Sequence, residues 1–243
     1  MFMKKALLKL ANAVLHPAGV QIYREGMDME SVLKSLARRA DDIATVVDIG
    51  ASDGRWSEMA MRLFPRARFV GIDPLVEREP RLKRLKALRP QFDYALCAAG
   101  EKTNDTTALA VTNDLDGSTV GGGAGSLRQV PSHSIDEVMR IKGCKGPFLL
   151  KFDTHGSEVP ILKGAPRTLE ETRYIVMEVY NYRHVEGTLL FYEMCALLDG
   201  MGFRCFNMAD PMQRPLDGCL WQMDFFFARK GDGCFRESGF RKT

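Results

Sequence analysis

The feature that most constrains this chain is a strand, turn and helix unit that occurs twice. In the first copy, Thr45-Val46-Val47-Asp48-Ile49 is a short apolar run rich in β-branched residues. It stops in the glycine turn Gly50-Ala51-Ser52-Asp53-Gly54, and a helical pattern follows from Trp56. In the second, Phe148-Leu149-Leu150-Lys151-Phe152 ends in Asp153, passes through Thr154-His155-Gly156-Ser157 and enters a helical stretch at Glu158. Between them, Arg68-Phe69-Val70-Gly71-Ile72-Asp73 is another strand that ends in an acid. Strands that alternate with helices predict an α/β chain with a doubly wound, mostly parallel sheet covered on both faces. In such a sheet the ligand sits at the carboxyl ends of the strands.

The chemistry of the first turn selects the ligand. Asp73 lies about 20 residues beyond the turn, where a nucleotide-binding βαβ unit carries the carboxylate that clamps ribose. A dinucleotide site needs glycine in the middle of the turn, so that backbone can approach the diphosphate. Here that place holds Ser52-Asp53. A carboxylate aimed at a diphosphate is repelled, whereas acids beside a sulfonium and an ammonium are favourable. The expected cofactor is therefore S-adenosyl-L-methionine (SAM), with Asp48, Gly50, Ser52, Asp53, Gly54 and Asp73 around it. The alternatives are a nicotinamide site, as in an NAD(P)-dependent oxidoreductase, and a structural turn that binds nothing.

Length and charge limit the rest. A chain of 243 residues buries one sizeable core. The expected division is an N-terminal helical extension over 1–40, a binding domain over 41–230 and a flexible tail over 231–243. A net charge of +3 without a dense basic stripe argues against a nucleic-acid partner. The basic helix around Arg81, Lys83, Arg84, Lys86 and Arg89 reads as a solvated outer face with a leucine seam, or else as a polyanion or membrane contact. Six cysteines without metal-ligand spacing read as reduced thiols in a cytoplasmic protein. Lys9 interrupts the apolar N-terminus, which is expected to form an amphipathic helix rather than a membrane span.

Further along, Phe92 to Gly100 reads as a strand ending in small residues, where Ala98 either leaves a flat slot for adenine or packs closely on a helix. The glycine-rich run Asp116–Ser126 reads as a mobile lid or a plain linker. Ser134 and Glu137 have capping-box spacing. Asp153 and His155 reach the same sheet edge as Asp48 and Asp73, and Glu178 ends the strand Tyr174–Val179. In methyl transfer His155 is the candidate base, with Asp153 or Glu178 orienting its ring. In the alternative reading it only hydrogen-bonds the acceptor or the turn. Asp153, His155, Glu158 and Glu178 also offer donors for Mg²⁺ or Mn²⁺, although no metal is required. Tyr180, Asn181 and Tyr182 offer rings and amide donors to a sugar.

These motifs together resemble a known family. Val-Asp-Ile-Gly-Ala-Ser-Asp-Gly at 47–54 and Gly-Ile-Asp-Pro at 71–74 are followed in order by Leu-Lys-Phe-Asp-Thr-His-Gly-Ser-Glu at 150–158, Leu-Lys-Gly-Ala at 162–165 and Ile-Val-Met-Glu at 175–178. The set is similar to the FkbM family of SAM-dependent methyltransferases, over about Thr45 to Arg229. The resemblance implies a class I, Rossmann-like methyltransferase fold of seven strands with the last antiparallel. It also implies O-methylation of a hydroxyl on a glycan, glycolipid or small natural product. Many members carry an acid at the position of His155. A SAM-binding partner subunit without catalysis is the remaining alternative, and the oligomeric state is unread.

Overall fold

The computed structural model describes residues 26–239 apart from 121–124, 184 and 186. The expected N-terminal amphipathic helix therefore lies outside the described residues. The first described helix, α1 (Met29–Ala37), begins where the Asp28 side chain accepts the Ser31 N–H at 2.8 Å. It buries Val32, Leu33 and Leu36.

Seven strands form the main sheet: β1 (Thr45–Ile49), β2 (Arg68–Asp73), β3 (Phe92–Leu96), β8 (Phe148–Phe152), β9 (Thr172–Tyr180), β10 (Phe203–Gln213) and β11 (Leu220–Arg229). Their spatial order is β10-β11-β9-β8-β1-β2-β3. All pairs from β3 to β9 are parallel, while β11 runs antiparallel to both β9 and β10. This is the doubly wound, Rossmann-like sheet with one reversed strand that the motifs implied.

Side-chain alternation divides the core between the two faces. Val46, Phe69, Leu149, Tyr174, Val176 and Phe226 pack beneath α1, α2 (Arg55–Leu63) and α3 (Glu79–Leu88). Val47, Ile49, Leu150, Phe152, Ile175 and Met177 pack beneath α4 (Ile135–Lys142), α5 (Glu158–Lys163), α6 (Pro166–Glu170) and α7 (Phe191–Gly200). Ser134 caps α4 as its spacing predicts, accepting the Glu137 N–H at 3.3 Å. The basic helix is α3, whose Leu82 and Leu85 are buried and whose cations lie outward.

A second, four-stranded sheet covers the carboxyl edge near β2: β4 (Ala98–Ala99), β5 (Asp105–Val111), β6 (Thr119–Val120) and β7 (Ser126–His133), in the order β4-β7-β5-β6. The strand expected from Phe92 to Gly100 is thus divided, with Leu96 ending in the main sheet and Ala98 starting in the small one. Part of the expected lid is strand β6, paired with Leu109 and Ala110, and residues 121–124 lie outside the described residues. Leu75, Ala98, Leu109, Val111 and Val130 form the small apolar core between the sheets. The Arg128 guanidinium holds Glu77 through two bonds of 2.9 and 2.7 Å and fastens β7 to the turn after β2.

Within the expected tail over 231–243, residues 232–235 are fastened to the fold. Asp232 accepts the Tyr174 hydroxyl at 2.9 Å and caps the Cys234 N–H at 2.9 Å. Cys234 and Phe235 pack on the α1–α3 core, and Arg204 lies 4.7 Å over the Phe235 ring.

The order of strands reverses between β2-β1 and β1-β8, so the crevice opens above β1 and β8. The two glycine turns nearly touch there. The Asp153 N–H donates to Ile49 O at 2.9 Å, and Gly50 sits at φ +80. A Cβ on Gly50 would stand 1.9 Å from the Asp153 carbonyl oxygen. Gly50→Ala should therefore combine left-handed strain with a backbone clash and destabilise the protein by about 2–5 kcal/mol in urea unfolding. An unchanged urea midpoint would contradict this contact.

Candidate active site

A cavity of about 310 Å³ opens at the carboxyl edge, above the β1–β8 reversal and beneath the small sheet. Gly50, Ser52, Asp73, Ala98, Asp153, His155 and Glu178, all expected at the site, line it. Asp116 and Val120, from the run read as a lid or linker, close one end together with Leu75, Arg78, Leu109 and Leu115, which were not anticipated. The last four belong to the small sheet or its contacts, and nothing in their local sequence marks them as binding residues.

Asp73 stands at that end. Its two carboxylate oxygens accept the Ser52 N–H at 2.8 Å and the Leu75 N–H at 2.9 Å. Burial raises its pKa to about 6, against the opposing pull of those two amides and of Arg78. A carboxylate has about four lone-pair directions, so each oxygen keeps one for a ligand hydroxyl. Arg78 and Asp116 are paired, and Asp116 also accepts the Ser52 hydroxyl at 3.2 Å. This links the glycine turn to the small sheet.

The opposite end is a connected polar cluster. His155 Nδ1 lies 2.6 Å from the Tyr180 hydroxyl and 3.3 Å from Glu178 Oε1, while Nε2 lies 3.6 Å from Asp153 Oδ1. Tyr180 donates to Glu178 Oε1, and Gln222 donates to Glu178 Oε2 at 2.6 Å. Burial alone would lower the His155 pKa, but Glu178 and Asp153 outweigh it and the ring is held above the ordinary histidine value. Its backbone is left-handed at φ +51, a conformation that histidine tolerates better than most side chains. Glu158 turns back on its own loop, accepting from Thr154 Oγ1 and from the Gly156 N–H, each at 3.0 Å.

Three expected ligand residues stand elsewhere. Asp48 is 0 % exposed beneath the turn, bonded to Ser57 at 2.7 Å and facing Lys151 Nζ at 3.4 Å. Asp53 pairs with Arg55 at 2.7 Å, and the Cα of Gly54 faces Leu85 of α3. None of the three lines the cavity. The reason is electrostatic for Asp48: a buried carboxylate needs a partner, and Lys151, its register neighbour on β8, supplies one. Lys151 also bonds Asp153 Oδ2 at 2.8 Å. Burial would lower the lysine pKa, yet Asp153 and Asp48 raise it, so the ammonium stays charged. Asp153 is held below the usual carboxylate range, because Lys151 and His155 together outweigh the effect of burial.

Residues 48–205 match the Methyltransferase FkbM domain, which is more than half of the chain. The chain belongs to the FkbM methyltransferase family. No curated protein matches it. Among solved structures it is similar to the methyltransferase FkbM from Methylobacillus flagellatus KT, at 18% identity and a TM-score of 0.49, over 76% of this chain and 44% of that one. It therefore spans less than half of that protein's length. It is also similar to the Burkholderia thailandensis 1,6-didemethyltoxoflavin-N1-methyltransferase bound to S-adenosylhomocysteine, at 11% identity and a TM-score of 0.48, over 82% of this chain and 77% of that one. A third is a rRNA methylase from Streptococcus thermophilus, at 13% identity and a TM-score of 0.48, over 86% of this chain and 99% of that one. The fold assignment rests on this chain's own strand order and the family on the domain match.

In this member of the FkbM family the Tyr180-Asn181-Tyr182 segment sits beside the cavity rather than on its wall. Tyr180 is buried (5 % exposed) with its hydroxyl in the polar cluster. Asn181 Nδ2 donates to Leu220 O at 3.2 Å. Tyr182 stacks on Trp221 at 5.4 Å, with the Arg214 guanidinium 4.1 Å over its other face.

A raised histidine pKa ties stability to pH. The contribution of the charged ring is fully present below the ordinary value of about 6.5 and is lost as pH rises through the higher folded value. The stability gap between wild type and His155→Gln in urea unfolding should therefore be widest in mild acid and narrow in alkali. A gap that is constant or grows with pH would contradict the contacts with Glu178 and Asp153.

Proposed function

We propose that this protein transfers a methyl group from SAM to a hydroxyl of a sugar, glycolipid or small natural product. The observation that carries the reading is one cavity with two chemically distinct ends: Asp73 with an apolar closure at one, and the Asp153, His155 and Glu178 cluster at the other.

The residues present fit the cofactor. Asp73 retains lone pairs for ribose hydroxyls, and Leu75, Ala98, Leu109 and Val120 offer apolar surface to a flat base. Asp153 offers a carboxylate to the cationic portion at the histidine end. When bound, SAM supplies a sulfonium methyl group whose in-line displacement leaves a neutral thioether. The protein has to align the acceptor oxygen, exclude water and take its proton. Alignment is the larger contribution, up to roughly 7–11 kcal/mol, against about 10²–10⁴-fold for a positioned base. His155 is the base in this account.

The donors of Asp153, His155 and Glu178 lie within 4.8 Å of one another. Lys151 already bonds Asp153, and both Glu178 oxygens accept hydrogen bonds from Tyr180 and Gln222. We therefore assign proton removal to His155 without a metal, and transfer should survive EDTA. We place the protein in the cytoplasm. Its six cysteines are free thiols, and among the described residues no helix is long and apolar enough to cross a membrane.

Two measurements test the reading. With tritiated SAM and a panel of glycans and hydroxylated natural products, His155→Ala should lose about 10²–10⁴-fold in rate with SAM affinity retained. A loss below tenfold would remove His155 as base. Because Asp73 must be ionised to accept ribose hydroxyls, S-adenosylhomocysteine affinity should be flat above about pH 7. It should weaken by up to about tenfold per pH unit below about 6. Affinity independent of pH from 5 to 7 would detach Asp73 from the cofactor.

A further inference from the structure

The hydroxyl of Tyr180 lies between two groups, Glu178 and His155, and it carries a single hydrogen. Glu178 accepts through both oxygens, from Tyr180 on Oε1 and from Gln222 on Oε2, so this hydrogen is directed to Glu178. The contact of 2.6 Å between the Tyr180 oxygen and His155 Nδ1 then has only one consistent donor, the imidazole. Were the neutral ring protonated on Nε2, two lone pairs would face each other across 2.6 Å in a buried site. The Nε2 hydrogen would gain only an Asp153 oxygen at 3.6 Å, beyond hydrogen-bond distance.

We propose that Tyr180, held by Glu178 and Gln222, is a positioning residue that fixes neutral His155 as its Nδ1–H tautomer and leaves the Nε2 lone pair to receive the acceptor's proton. The catalytic half of this proposal rests on the methyl-transfer reading above. In that step the acceptor oxygen forms its bond to the methyl carbon as the carbon–sulfur bond breaks. The hydroxyl proton passes to Nε2, and the sulfur departs as a neutral thioether. The imidazolium so formed donates through Nδ1 to Tyr180, and the Asp153 carboxylate at 3.6 Å stabilises its charge by Coulomb attraction. Lys151 keeps that carboxylate in place with a bond of 2.8 Å to its other oxygen. Burial and the Glu178 charge hold the Tyr180 phenol well above its ordinary pKa, so its hydrogen stays in the chain through the working pH range.

Sequence reading placed Tyr180 with Asn181 and Tyr182 as a contact for the acceptor. The structure separates them, since Tyr180 points into the sheet edge and its neighbours toward Leu220 and Trp221.

The test is the tautomer itself, read by long-range proton–nitrogen correlation spectra of ¹⁵N-labelled full-length protein at alkaline pH. The chain has four histidines, and a His155→Gln spectrum assigns the signal of interest. The expected wild-type result is a pyridine-type Nε2 and a pyrrole-type Nδ1. Tyr180→Phe removes the nearer acceptor and leaves Nδ1–H only the longer contact of 3.3 Å to Glu178 Oε1, so His155 should shift toward a mixture with the Nε2–H form. Glu178→Gln should do the same by releasing the tyrosine hydrogen toward Nδ1. Near-ultraviolet circular dichroism verifies that each variant keeps native packing. A wild-type ring already protonated on Nε2, or an unchanged tautomer in the folded variants, would overturn the assignment. The spectra need neither methyl donor nor acceptor. A failed methylation assay with the expected tautomer would therefore reject the functional reading alone, whereas methylation with the wrong tautomer would reject the role of Tyr180 alone.

Discussion

The Lys151 ammonium, buried between Asp48 and Asp153, is the interaction on which the site depends. Removing a charge from water is expensive, and a buried lysine persists in its charged form only with carboxylates fixed around it. Its register partner on β1 is Asp48, which lies under the first glycine turn and bonds Ser57 of α2. Two residues beyond Lys151 along the chain is Asp153, at the mouth of the cavity. One ammonium therefore couples the turn after β1 to the turn after β8, at the place where the sheet reverses order. Such a pair is weak evidence for stability, since a well-packed apolar substitute can be as stable. Its consequence is geometric: it sets the carboxylate against which His155 stands. The Trp56 ring, 5.7 Å from Lys151 Nζ, completes the enclosure.

This arrangement changes the electrostatic account of the pocket. A reading in which Asp48, Asp53 and Asp73 together attract a cation counts two charges that are already matched, by Lys151 and by Arg55. The carboxylates that do line the cavity are Asp73, Asp116, Asp153 and Glu178, with Arg78 as the neighbouring cation. In the proposed reading Asp73 acts as a hydrogen-bond acceptor, and Glu178 with the outer oxygen of Asp153 faces the cationic portion of the ligand.

Much of the main sheet was legible because its strands are buried on both faces and read as continuous apolar runs, as in Thr45–Ile49 and Phe148–Phe152. Glycine turns and terminal acids then marked the edge where the cavity opens, so sequence alone placed Asp73, Asp153, His155 and Glu178 along it. Of the small sheet only β5 was legible, since Thr106–Thr112 reads as strand-like. In β7 only Val130 and Ser132 are buried, Leu127 is 73 % exposed and Pro131 interrupts the donor pattern, so Ser126–His133 lacks the apolar alternation of a strand. Arg78 and Leu109 consequently escaped notice as lining residues. Asp48 misled for a different reason: a sequence shows an acid at a strand end, but the neighbour that neutralises it comes from a strand far along the chain. Tyr180 was placed with Asn181 and Tyr182, although strand alternation turns it, and not Asn181, toward the polar cluster.

The most direct measurement of the central claim, that this edge is an adenosyl pocket ending at a histidine base, is a crystal structure of the protein soaked with S-adenosylhomocysteine. The account predicts ribose hydroxyls on the Asp73 carboxylate, the base among Leu75, Ala98 and Leu109, and the sulfur directed toward Asp153 and His155. A nucleoside bound away from Asp73, or a cavity that takes NAD and leaves S-adenosylhomocysteine in solution, would contradict it.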